Sequence, residues 1–411
     1  MNSKSIFSGF PAPDELMDRN KGQNEQLLPD LNGHIHTPHS FSAFPNIETA
    51  FQMAREEQIV VLGINDFYTT DGYGEFAELA EEYRIFPLFN IEFMALQHDL
   101  QKAGIRVNDP NNPGRTYFSG KGLRYPVSMS ASSQQLIAEL QQESNRQTYQ
   151  MVEKLNAFFR ENHIDIYFDP AGLHRSMAKS LFRERHIAQA IRQVIFEKEP
   201  HVAGRLKLFE SVFGGNELKS SLENVAQIEN EIRGNLLKAG GAAFVPEDPR
   251  AFLSLDKVMD IIIDAGGIPC YPVLLDDSKG ILTEYEADWE KLLQELVQKN
   301  VFAIELIPGR NDFNILKDFV GFFHKHGFLI TFGTEHNSPQ LDPLKITCRH
   351  GVPLDNELKA INYEGAAVIA AHQYLVARGE EGYLKGRQAQ IKNKEKFVTL
   401  GKEVIAHFMN K

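Results

Sequence analysis

The residues best suited to chemistry stand in one short run, His34-Ile35-His36-Thr37-Pro38-His39. Side chains alternate along a strand, so His34 and His36 project to one face while Gly33 and Ile35 face the other. Two imidazoles at that spacing, near the C-terminal end of a strand, can coordinate one divalent metal, at ~2.0–2.1 Å per nitrogen for zinc. The same pair can also be two polar residues at a strand end, partnered by backbone groups. Other apolar runs finish on residues of ligand type: Asp66 in GIND, Glu92 in NIEF, and Glu335 with His336 in FGTEHN. Each acid alone can equally be a helix cap or a loop anchor. In a closed β/α barrel, however, the strand ends converge on one mouth, and residues far apart in sequence then share a site.

The elements that would position these residues follow a strand-then-helix rhythm from Leu31. LNGHIHT reads as a short strand, and NIETAFQMAREEQ as a helix capped by Asn46. IVVLGIND is nearly all apolar, as a parallel strand covered on both faces must be. EFAELAEEYR is the next helix and FPLFNIEFMAL the next strand, and the alternation argues for a parallel sheet or barrel. The rhythm breaks over 98–127, which is loop-rich with a strand expected at Thr116–Ser119. Residues 128–249 then read as a mainly helical insertion, with Leu136, Leu140, Met151, Leu155 and Phe158 at helical spacing. Strands IPCYPVLL, VFAIELIPG and FLITFGTEHN, alternating with helices, resume the rhythm over 250–345. Residues 1–30 read as a weakly ordered N-terminal arm, and 346–411 as a C-terminal helical extension.

Composition narrows the class. The 411 residues are 42% hydrophobic and 24% charged, ordinary globular usage, and the formal net charge is −12. A chain this acidic repels polyanions at long range, so nucleic acid is not expected as a partner. A local basic pocket for one small phosphorylated molecule is compatible with that balance. Two cysteines, Cys270 and Cys348, cannot build a disulfide framework, which suits a reducing compartment. Asp260 and Asp264 interrupt the most apolar window, so no membrane span is expected, and a cytoplasmic location is the default.

LNGHIHTPHS, LGINDFYTTDG, FPLFNIEF, AGGIPCYPVL and FGTEHNSP, in that order, resemble the motif series of the PHP (polymerase and histidinol phosphatase) domain. The resemblance spans roughly residues 31–125 and 250–340, and LFRERHIAQAI in the insertion resembles a helix of the phosphoesterases in that family. It implies an α/β fold: a distorted seven-stranded, TIM-like β/α barrel, here over 31–127 and 250–345, that binds up to three metals and hydrolyses phosphate esters. His34, His36 and Glu92 stand where the family has its first metal ligands, and Glu335 where it usually has Asp. Asp66 matches the acid of an acid-His motif. The departures are Phe41 for an acid, Phe67 for a histidine, Cys270-Tyr271-Pro272 for Ala-His-Pro, and Glu335-His336-Asn337 for the final Asp-x-His.

The surviving ligands are those of one site. Phe cannot bind a metal, and Tyr does so only as phenolate, which a pKa near 10 makes costly. One divalent ion, Zn, Mn or Fe, is therefore expected, with His336 as an extra ligand if the last strand bulges. The resemblance implies hydrolysis of a small phosphate ester, with Asp66 orienting or deprotonating a metal-bound water. Arg310 in ELIPGRN, and Arg115 or Lys121 in GRTYFSGKG, would hold the phosphate, although each also reads as a surface charge. GRTYFSGKG lacks the spacing of a P-loop. The alternative is a non-catalytic relative that keeps the barrel and binds a ligand or partner.

Overall fold

The computed structural model describes residues 5–18, 28–41, 43–277 and 279–411. Seven strands form one sheet in sequence order: β1 (Asp30–Ile35), β2 (Ile59–Phe67), β3 (Phe86–Leu96), β4 (Arg115–Lys121), β5 (Ile268–Val273), β6 (Ala303–Leu306) and β7 (Leu329–Phe332). All adjacent pairs are parallel except β3–β4 and β4–β5, because β4 runs against the rest. The sheet curls until its edges nearly meet. The His34 carbonyl accepts the Thr334 and Glu335 amides at 3.2 and 2.9 Å, just past the end of β7. A Cβ at Gly333 would stand 2.3 Å from His34 Cβ and 2.9 Å from its Cα, so glycine is what permits that approach. This is the TIM-like seven-stranded barrel that the sequence leads one to expect, with one reversed strand that its pattern does not predict.

The strands follow from their composition. Every residue of β3 is buried, as its unbroken apolar run requires of a strand covered on both faces. The covering helices are amphipathic and capped. Asn46 Oδ1 accepts the Thr49 amide at the start of Ile47–Glu56, and Asp312 accepts two amides at the start of Phe313–Lys325. Leu255–Asp264 buries Leu255, Val258, Met259, Ile261 and Ile262.

The insertion carries a core of its own, in which Val152, Leu155 and Phe159 of the long helix Ala131–Glu161 pack with Ile187, Ile191 and Ile195 of Glu184–Lys198. In the C-terminal segment, Asn356–Ala377 crosses the barrel and completes backbone bonds that the strands leave open. Asn362 accepts from the Phe332 amide, while Gln373 accepts from Phe89 N–H and donates to the Pro87 carbonyl. Lys394–Met409 packs on it so tightly at Gly401 that a Cβ would lie 1.7 Å from the Ala367 carbonyl. Residues 5–18 do not form the loose arm expected of them. Ile6, Phe7, Phe10 and Leu16 are buried, and Phe7 packs edge-on against Tyr374. The rest of that N-terminal expectation lies outside the described residues.

Candidate metal centre and pocket

β1 delivers His34 to the barrel interior and His36 just beyond its end, and β3 delivers Glu92 beside them. The three are buried, and they form the one group of potential metal ligands found among the described residues. Nε2 of His34 and Nε2 of His36 are 3.4 Å apart. Glu92 Oε2 lies 3.4 Å from the second and 3.7 Å from the first. These separations are too long for good hydrogen bonds, and Glu92 Oε2 has no hydrogen-bond partner. Tetrahedral ligands at ~2.0–2.1 Å from zinc stand ~3.3–3.4 Å from one another. The donor set, its spacing and the orphaned carboxylate oxygen therefore fit one divalent ion.

The electrostatics agree. Burial holds His36 well below the usual imidazole value, with the charges of His34 and Arg183 adding to it, so the ring is the neutral form that ligates. Burial, with Glu335 and Glu305 nearby, pushes Glu92 well above the usual carboxylate range. A cation at the gap would relieve that cost.

A second set of side chains holds His34 from below. Glu305 on β6 accepts from His34 Nδ1 at 2.9 Å, from Lys121 Nζ at 2.6 Å and from Ser119 Oγ at 2.7 Å. Burial alone would raise Glu305, but Lys121 and His34 pull it well below the carboxylate range. An ionised Glu305 fixes the tautomer that leaves Nε2 with its lone pair. The Asn65 amide lies 3.1 and 3.0 Å from the two His34 ring nitrogens. It therefore rests on the ring face, since an in-plane position equidistant from both would collide with the carbon between them.

His34 and Glu92 floor a cavity of about 650 Å³, with His36 buried behind them, walled by Tyr117, Pro272, Val273 and Ile307 on its apolar side and by Arg310, Glu335 and Asn337 on its polar side. Arg310 forms an ion pair with Glu335. Glu335 takes the left-handed conformation, with φ of 51°, which is rare for a residue with a side chain and is held here by the hydrogen bond that its N–H donates to the His34 carbonyl. It lies beside the triad but outside it.

Five expectations are redirected. Asp66 is fully buried on the outer face of β2, because Asn65 and Phe67 take the inward positions and alternation excludes the residue between them. Its oxygens accept from Thr37 N–H and from the Thr37 and Ser40 hydroxyls, so it anchors the loop after β1. His336 is not a ligand: Nδ1 bonds Thr334 Oγ1 and Nε2 the Asp342 carbonyl, both at 2.7 Å, and the ring stacks on Phe44. The chain leaves the strand at Phe332, and the turn through Glu335 carries His336 away. Arg115 pairs with Glu247 and Asp109 and borders a separate, smaller cavity, because β3 continues past Glu92 to Leu96, opposite Arg115. Tyr271 also faces outward, its hydroxyl bonded to Glu286 at 2.8 Å. Lys121, read as a surface charge or a phosphate holder, is buried in the barrel.

Phe41 and Phe67 do lie at the site. Phe67 stacks on His36 with ring centroids 5.4 Å apart and planes 12° from parallel, and Phe41 lies 4.5 Å from the same ring. Sequence reasoning missed Glu305, whose signal was an acid inside an otherwise apolar strand. It also missed Arg183 and Arg185 at the start of the insertion helix.

No family model and no curated protein matches the sequence. Solved structures share its fold, two of them with the following correspondence. One is a protein from Bifidobacterium adolescentis assigned as a metal-dependent phosphoesterase, with a TM-score of 0.53 and 16% identity, covering 82% of this chain and 96% of that one. The other is an amidohydrolase from Chromobacterium violaceum with bound sulfate and no metal, with a TM-score of 0.51 and 16% identity, covering 81% and 96%.

Proposed function

We propose that this chain is a metal-dependent hydrolase that cleaves a phosphate ester of a small molecule, using one divalent ion held by His34, His36 and Glu92. The observation that carries the reading is the buried, unpartnered Glu92 Oε2 facing two imidazole nitrogens at 3.4 and 3.7 Å on the floor of an open pocket. The ordered resemblance to the PHP motifs and the phosphoesterase assignment of one fold neighbour support the same class.

When bound, such an ion polarises a phosphoryl oxygen and lowers the pKa of a coordinated water toward ~7. The chain's own residues supply the rest. Glu335, a pocket carboxylate outside the triad, would take the proton of an attacking water. Arg310, on the same wall, offers a planar fork to the phosphoryl oxygens. Asp66 takes no part, since it faces outward and its oxygens are engaged. Tyr117, Val273 and Ile307 offer an apolar wall to the leaving group.

The test is elemental analysis of protein purified without chelator, followed by a phosphate-ester panel assayed with Zn, Mn or Fe. About one ion per chain and metal-dependent phosphate release would support the reading. Metal without turnover on any ester would favour the non-catalytic alternative.

A further inference from the structure

We propose that Arg183 and Arg185 form an anion seat at the rim of the pocket, a fixed guanidinium charge beside the single metal triad. The choice of a phosphoryl group as its anion rests on the hydrolase reading above. The seat itself does not.

The segment that carries these arginines is pinned to the loop after β1. Leu181 N–H donates to the His39 carbonyl at 3.0 Å, and Ser180 Oγ bonds His39 Nδ1 at 2.8 Å and Asp71 at 2.7 Å. The helix Glu184–Lys198 therefore begins next to His36. The Arg183 guanidinium carbon lies 5.1 Å from the centroids of both Phe41 and Phe67, and that of Arg185 lies 5.5 Å from Phe41. These are the two rings that flank His36. Rings that cannot ligate a metal can hold a guanidinium over their faces. Contact with the pocket runs through Asn337, whose Oδ1 is 3.5 Å from Arg185 Nη2, and through Tyr117, which packs against Phe67.

Protein groups balance this charge only in part, with Glu184 at a distance from Arg183 and Glu335 acting on Arg185 without a hydrogen bond to it. Arg183 Nη1 and Arg185 Nε are buried without a hydrogen-bond partner. Glu184, the carboxylate beside them, bonds Arg233 at 2.8 Å and comes no closer than 3.9 Å to Arg183. Arg192 is already paired with Glu229. Burial, with Arg233 beside it, draws Arg185 down to about 10. Buried donors of this kind are costly unless an acceptor arrives. A tetrahedral dianion supplies several oxygens to the guanidinium forks at once.

The experiment is equilibrium dialysis of radiolabelled inorganic phosphate against the chelator-treated full chain. The metal-free protein is expected to bind phosphate, and the His34→Ala/His36→Ala variant to retain that binding. Arg183→Met/Arg185→Met is expected to lose affinity by roughly tenfold or more. The charge-preserving pair Arg183→Lys/Arg185→Lys covers failure of the Met variant to fold, and a smaller phosphate-induced rise in its melting temperature is expected. Undiminished phosphate affinity in a folded arginine variant, or no phosphate binding by the metal-free wild type, would overturn the proposal. Neither result depends on turnover, so failure of the hydrolase reading would be seen separately, in the metal and ester assays.

Discussion

Glu305 Oε2 stands 2.9 Å from His34 Nδ1, although the two residues are 271 positions apart in the chain. An ionised carboxylate can only accept, so this contact orients the imidazole and leaves its other nitrogen free for a metal.

Glu305→Gln should therefore lower metal affinity by about 10–100-fold while leaving the three ligands in place. Competition with a chromogenic chelator measures this directly. His34→Ala/His36→Ala, by contrast, should remove stoichiometric metal altogether.

Lys121→Met should cost about 3–5 kcal/mol of stability, because it leaves Glu305 as a buried and poorly compensated charge. Both side chains are only 1% exposed and their charged atoms are 2.6 Å apart. The double variant Lys121→Met/Glu305→Leu should recover much of that loss in urea unfolding. Recovery would identify the ion pair, rather than lysine packing, as the source.

Asp66→Asn separates a loop anchor from a catalytic base. Burial raises the folded-state pKa of Asp66 from 3.8 to about 6. Folding thus favours its protonated form, so its contribution is complete below about pH 4 and is lost as pH rises through about 6. Wild type should lose stability relative to Asp66→Asn across that window, by on the order of 2–3 kcal/mol. Metal content should not change, and any ester hydrolysis should persist. Paired unfolding curves at pH 4 and pH 7 give the difference.

Phe67→His and Tyr271→His should behave differently, although both positions hold a histidine in the PHP motif series. Phe67 is aligned with Glu92 in the β2–β3 ladder and stacks on His36, so a histidine there joins the ligand set and should slow metal release to a chelator. Tyr271 faces the outer layer, and its hydroxyl satisfies Glu286, a carboxyl that burial raises to about 7. Histidine there should add no metal and lower the melting temperature.

The barrel and the His34, His36 and Glu92 cluster were legible because apolar runs and an HxH at a strand end are local signals. What misled was facing. Asp66 looked ligand-like at the end of an apolar strand, yet Asn65 and Phe67 occupy the inward positions and alternation leaves Asp66 outside. His336 depended on how the chain leaves its strand, and one left-handed residue at Glu335 decided it. Lys121 and Glu305 explain each other only as a pair. A lysine between glycines reads as solvated and an acid in AIEL as an anomaly until the curled sheet brings β4 and β6 to the same interior.

The hydrogen bonds from the Thr334 and Glu335 amides to the His34 carbonyl mean that a residue of the proposed metal triad is also the clasp between the first and last strands. During synthesis, His34, His36 and Glu92 leave the ribosome early, but the clasp and Glu305 come only after the whole insertion has been made. A nascent chain holds the ligands long before it holds their geometry. For the proposed ion this means that capture waits for the completed barrel, so that loading would report that the last strand has docked.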